Sequence, residues 1–111
     1  MAMKKYTISF YNDKVEEEIL DLPTTLRARY LRYADIMQDA GVNLGLPHTK
    51  FMGDGLFELR LKGQEGIARV FYCLIVDNEI IMLHSFVKKT DKTPTKELNI
   101  AKKRMKEVKN G

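Results

Sequence analysis

Residues 4–10 alternate Tyr6, Ile8 and Phe10 with Lys5, Thr7 and Ser9, the period of a half-buried strand. Asn12 or Asp13 can then cap a helix in which Val15, Ile19 and Leu22 share one stripe, with Glu16, Glu17 and Glu18 suited to its positive N-terminal end. Pro23 breaks that helix. Thr24 or Thr25 can cap a second one, in which Leu26, Tyr30, Tyr33, Met37 and Ala40 recur at helical spacing until Gly41 ends it. So short a break between the two predicts an antiparallel helix hairpin.

From Gly45 the period changes. Residues 46–52 read as a short edge strand, with Pro47 tolerated near its start, and Gly53, Asp54 and Gly55 supply a turn. Residues 56–62 alternate Phe57, Leu59 and Leu61 with Glu58, Arg60 and Lys62, so one face is dry and the other charged. Residues 67–76 are apolar on both faces and make the best central strand. Asp77 and Asn78 fit a tight hairpin turn. Residues 79–87 then return with Ile81, Leu83, Ser85 and Val87 on one face and Ile80, Met82, His84 and Phe86 on the other. Thr93 and Pro94 open a last helix, with Leu98, Ala101, Met105 and Val108 on one stripe and mostly lysine elsewhere. The order strand, helix, helix, three or four antiparallel strands, helix makes an α+β fold. The helix hairpin covers one face of a mainly antiparallel sheet and leaves the other face partly open for function.

The chain has 111 residues, 44% of them apolar and 31% charged, which suits one compact domain spanning residues 1–111 and excludes a disordered or low-complexity scaffold. Its net charge of +4 is unevenly placed. Residues 88–111 carry nine Lys and Arg against three acids, leaving the rest at −2. A cationic end of this kind suits a polyanionic partner, nucleic acid ahead of membrane. The one cysteine, Cys73, lies inside an apolar run and reads as a core residue of a cytoplasmic protein. No segment approaches the roughly 20 continuous apolar residues that span a bilayer, and the first residues have no apolar signal core.

Familiar catalytic constellations are absent: no metal-ligand spacing, no phosphate-cradling glycine loop, no nucleophile elbow. No cofactor is expected. What remains is a set of cations on strands, Arg60, Lys62, Arg69, Lys88 and Lys89, with Lys50 upstream and His84 between Met82 and Phe86. Arg69 is the most informative, because an unpaired guanidinium in an apolar strand would cost several kcal/mol if fully buried. It pairs with Glu58 across neighbouring strands, or it grips a phosphate in a cleft. Tyr72 alternates with Val70 and Leu74, so its ring belongs to the core and only its hydroxyl can do more.

Taken together, Gly55 to Arg60, then Arg69-Val70-Phe71-Tyr72, then Leu83-His84-Ser85-Phe86-Val87-Lys88-Lys89-Thr90, then Thr93-Pro94 and the basic helix, resemble the RelE/ParE superfamily of bacterial toxins. The match looks closest to the HigB-like, phage-derived toxin-like branch and covers essentially the whole chain. The resemblance implies a RelE-like fold and a metal-independent endoribonuclease, a toxin that cleaves mRNA on the ribosome in the cytoplasm. It also implies a cognate antitoxin of helix-turn-helix, HigA-like type. By the same resemblance, Arg60 and Arg69 hold the scissile phosphate, with Lys88 beside them, and His84 transfers protons. Lys50, Lys62 and Lys89 contact RNA phosphates, and Tyr72 or Phe86 stacks on or orients a base. The last helix has no tyrosine, unlike the best-known ribonuclease members, since Tyr72 is the final one in the chain. Two other readings accompany the same family: a ParE-like, non-enzymatic inhibitor of DNA gyrase, and an inactive relative that only binds its antitoxin or nucleic acid.

Overall fold

A computed structural model describes residues 4–88 and 92–110. The elements run β1 (Thr7–Phe10), α1 (Asp13–Leu20), α2 (Thr24–Ala40), β2 (Thr49–Gly53), β3 (Leu56–Gly63), β4 (Gly66–Ile75), β5 (Glu79–Lys88) and α3 (Thr95–Asn110). The five strands form one sheet in the order β1-β5-β4-β3-β2. The last four are antiparallel, while β1 lies parallel to β5, pairing Thr7 with Glu79 and Phe10 with Met82. The α+β architecture is the one the sequence predicts, with a parallel edge strand added. Among the described residues no helix is long and apolar enough to cross a membrane.

Local chemistry explains the boundaries. Asn12 caps α1, its side chain accepting the Val15 N–H at 2.9 Å. The cap expected from Thr24 or Thr25 is absent, because α2 starts directly after Pro23 and Pro lacks a side-chain acceptor. Glu65, from the β3–β4 turn, takes the Thr25 N–H instead at 2.6 Å, and these contacts draw its carboxyl below its ordinary range. At the other end Gly41 adopts φ +92, a region costly for any residue with a Cβ. Asp77 and Asn78 both take positive φ at the β4–β5 turn, as the hairpin reading requires.

Phe57, Leu59, Leu61, Ala68, Val70, Tyr72, Ile80 and Met82 point to one side of the sheet, where Val15, Ile19, Leu26, Tyr30 and Met37 of the helix hairpin bury them. The second side divides in two. Leu56, Phe71, Cys73, Ile81 and Leu83 are covered by Ala101 and Met105 of α3. Beyond them the same face continues as Glu58, which is buried, and then Arg60, Lys62, Ile67 and Arg69, which keep some exposure.

One correction follows from β5. Phe71 pairs with His84 but the next residue, Tyr72, pairs with Met82, so Leu83 is an extra residue in a β-bulge. Strict alternation would place His84 and Phe86 with Ile80 and Met82. The bulge instead turns His84 and Phe86 to the α3 side, where Phe86 stacks on Phe71 at 5.9 Å, and sends Ser85 and Val87 to the helix-hairpin side.

Candidate functional site

Arg60 and Arg69 are direct partners in the β3–β4 register, so their side chains leave the same face of the sheet side by side. Two residues upstream on β3, on that same face, Glu58 is only 1% exposed. Arg60 Nε donates to Glu58 Oε1 at 3.3 Å, and Arg69 Nε forms an ion-pair contact with the same oxygen at 3.4 Å. The other carboxylate oxygen accepts the Thr93 hydroxyl at 2.7 Å. Thr93 therefore does not cap α3, as its sequence position suggested, but ties the approach to that helix onto the sheet. Glu58 and the phosphate-cleft alternatives for Arg69 turn out to be compatible. The carboxylate sits behind the arginines and offsets one of their two charges.

In front of them lies an open cleft of about 740 Å³ lined by Arg29, Tyr33, His48, Arg60, Lys62 and Arg69, together with the β3–β4 turn. No carboxylate lines it among the described residues. β2 pairs with β3 only as far as Thr49 opposite Leu59; beyond it the Arg60 N–H is met by the His48 carbonyl at 2.8 Å. The edge of β3 past that point is open, so the cleft wraps from the sheet face to the outer surface of α2. Four cations around one hollow, with the buried Glu58 carboxylate behind two of them, favour an anion. Two guanidinium forks side by side fit phosphate oxygens in particular. Among the described residues no group of three or more His, Cys, Asp or Glu could hold a metal ion.

The other expected site residues are distributed unevenly. Lys62 lines the cleft. Lys50 is exposed on β2 opposite Glu58, on the same face but outside the cleft wall. Phe86 stands opposite Arg69 and Lys88 opposite Ile67, both on this face, with Lys88 only 9% exposed. His84 is buried, its Nε2 3.0 Å from Glu97 Oε2 in the first turn of α3, and it does not line the cleft. Tyr72 is corrected outright as an RNA contact. It is 0% exposed on the helix-hairpin side, where its hydroxyl donates to the Val42 carbonyl and burial holds its phenol well above the ordinary range. Lys89 lies outside the described residues.

Sequence reasoning passed over Arg29, Tyr33 and His48. His48 is exposed and packs its ring against Tyr33 at 4.9 Å. Neither residue falls in a motif; only the docking of α2 beside the β3 edge brings them to the arginine pair.

Similarity to known proteins agrees with this architecture. No curated protein matches the chain. Among solved structures, a chain of the archaeal RelE-RelB complex from Pyrococcus horikoshii OT3 superposes with a TM-score of 0.50 at 19% identity, covering 77% of this chain and 97% of that one. That likeness is one of fold. The family model described as Phage derived protein Gp49-like (DUF891) matches residues 17–106, from α1 into α3, a span that includes every cleft residue named above. The chain therefore belongs to the Gp49-like family of phage-derived proteins, a family of RelE-like toxins.

Proposed function

We propose that this toxin is a metal-independent endoribonuclease that cleaves mRNA on the ribosome, and that a cognate antitoxin silences it. The observation that carries this reading is the arginine pair, Arg60 beside Arg69, facing an open cationic cleft with the buried Glu58 carboxylate behind it. In RNA cleavage the ribose 2′-oxygen bonds to phosphorus as the bond from phosphorus to the 5′-oxygen breaks, leaving a cyclic phosphate and a 5′-hydroxyl. Negative charge grows on the non-bridging oxygens, where preorganised guanidinium groups act best. Lys62 and Arg29 hold the strand from the cleft walls.

Proton transfer falls to His48. Imidazole as a chemical group exchanges protons near neutral pH, and His48 lines the cleft whereas His84 is engaged with Glu97. His84, Phe86 and Lys88 then shape the far side of the face, and Lys50 and Lys89 supply phosphate contacts from its rim. One histidine is a sparse acid–base set. Holding the 2′-hydroxyl in line can itself remove about 7 kcal/mol or more of the barrier, so the ribosome's positioning of mRNA compensates and free RNA is cut poorly. Work on ribosomes places the protein in the cytoplasm. The antitoxin, a helix-turn-helix protein of HigA-like type, covers the cleft or keeps the toxin from the ribosome; the similar fold of a chain from a RelE-RelB complex supports an antitoxin partner, and its type is part of the proposal.

The test is induction of the wild type, Arg60→Ala, Arg69→Ala and His48→Ala at matched levels, with 5′ ends of translated transcripts mapped. The expected result is growth arrest with new 5′ ends for the wild type, and loss of both for each arginine variant. Intact mRNA with damaged DNA would replace this reading with gyrase inhibition. Full toxicity of both arginine variants would remove the cleft from the mechanism.

A further inference from the structure

The cleft does not end at the arginine pair. A second hollow of about 330 Å³ adjoins it and shares three of its wall residues, Arg29, Tyr33 and His48. Its remaining lining is Arg32 from α2 and the apolar side chains of Ile36 and Leu44. Arg29 and Arg32 are both exposed on α2, and neither has an acidic neighbour in the wall of this hollow. Cations at the rim, an aromatic pair at the junction and an apolar floor make the combination by which proteins hold single-stranded nucleic acid: charge for the backbone, ring and apolar faces for the base. The first cleft is already large enough for a nucleotide-sized group, so a strand lying in it has to leave by one of its open sides.

We propose that the second hollow is a flanking-nucleotide subsite, in which Arg29 and Arg32 take a backbone phosphate and Tyr33 with Ile36 takes the attached base of the same RNA strand, while His48 stays on the cleft side of the junction. This rests on the assignment of the arginine-pair cleft to RNA. The subsite lengthens the footprint without touching the scissile bond. It acts on affinity and on which stretch of strand is presented, and Arg29 and Arg32 are binding residues, not catalytic ones.

The experiment measures binding of a series of 2′-O-methyl oligoribonucleotides, from tetranucleotide to decanucleotide, which resist cleavage because the 2′-oxygen is blocked. Fluorescence anisotropy is recorded between about 50 and 200 mM salt, where phosphate contacts dominate. Four proteins are compared: wild type, Arg29→Ala/Arg32→Ala, Arg60→Ala/Arg69→Ala, and Lys5→Ala/Lys14→Ala. The last removes the same charge from exposed lysines away from both hollows. The expected result is that Arg29→Ala/Arg32→Ala weakens the longest RNA about tenfold and flattens the gain in affinity with length. Its log–log salt slope should also fall by about 0.7, the value for the one phosphate that the two arginines share. Wild-type affinity and slope in that variant, or an equal loss in Lys5→Ala/Lys14→Ala, would overturn the subsite. If Arg60→Ala/Arg69→Ala alone loses binding, the subsite fails while the cleft reading stands. If it binds like wild type while Arg29→Ala/Arg32→Ala does not, the cleft reading fails and the α2 site stands alone.

Discussion

Replacing Glu58 tests whether one buried carboxylate organises the site. Its side chain is 2% exposed, against 12% for Arg69 and 30% for Arg60, and both guanidinium groups lie on its Oε1. Removing one partner of a buried ion pair costs about 3–5 kcal/mol, mainly because the other charge is left in a poor solvent. That figure applies to Arg69; Arg60 is wet enough for water to replace much of what it loses. Glu58→Ala also strips the acceptor from Thr93, whose bond to a carboxylate is worth about 1.5–3 kcal/mol. The two losses share one group and do not add, so about 4 kcal/mol is expected for Glu58→Ala. Glu58→Gln keeps the shape and an acceptor for Thr93 and should lose about 1–2 kcal/mol. Urea unfolding followed by circular dichroism reads both. With a slope of about 1–3 kcal/mol per molar urea, the alanine variant's midpoint drops by about 1–4 M and the glutamine variant's by less. Glu58→Gln also frees the arginine pair of its internal anion, so RNA binding tightens at low salt while cleavage slows because the forks are no longer aimed. Both variants unfolding within about 0.5 kcal/mol of wild type would refute the reasoning, since that is the range of substitutions that touch nothing important.

Tyr72→Phe removes the hydroxyl bonded to Val42 and leaves that carbonyl without its donor; it should destabilise the fold by about 1–2 kcal/mol in the same unfolding assay yet leave RNA binding unchanged. Gly63→Ala places a Cβ 2.5 Å from Thr25 Oγ1 and 2.9 Å from Thr25 Cβ, so the β3 end and the α2 start must part, lowering stability by about 1–3 kcal/mol in thermal melts. Cys73 is buried and burial raises its thiol above the ordinary range, so a thiol reagent such as Ellman's should react with native protein far more slowly than with protein in denaturant.

Much of the fold was legible because its signals are local. The alternation along β3 separates Leu59 and Leu61 from Arg60 and Lys62 before any partner is known, and Gly41 and the Asp77-Asn78 turn mark their own positions. The bulge at Leu83 was not legible, since nothing in a run of apolar residues announces an extra one, yet it decides which face His84 and Phe86 occupy. Caps failed for the same reason. Thr25 and Thr93 have the right chemistry for their neighbours in sequence, but Glu65 and Glu58 reach them from distant strands. Within the site, Arg60 and Arg69 could be singled out because a cation in an apolar strand demands an explanation. Arg29 and His48 could not, because an exposed arginine on a helix and an isolated histidine in a loop demand none.

The parallel pairing of β1 with β5 reaches past its immediate geometry. Thr7, near the beginning of the chain, finds its strand partner only at Glu79, with the helix hairpin and three strands between them. Closing so long a loop is slow and entropically costly, and it must wait until the later strand exists. During synthesis, therefore, β1 emerges well before its partner, and that margin of the sheet stays unpaired until β5 has been made.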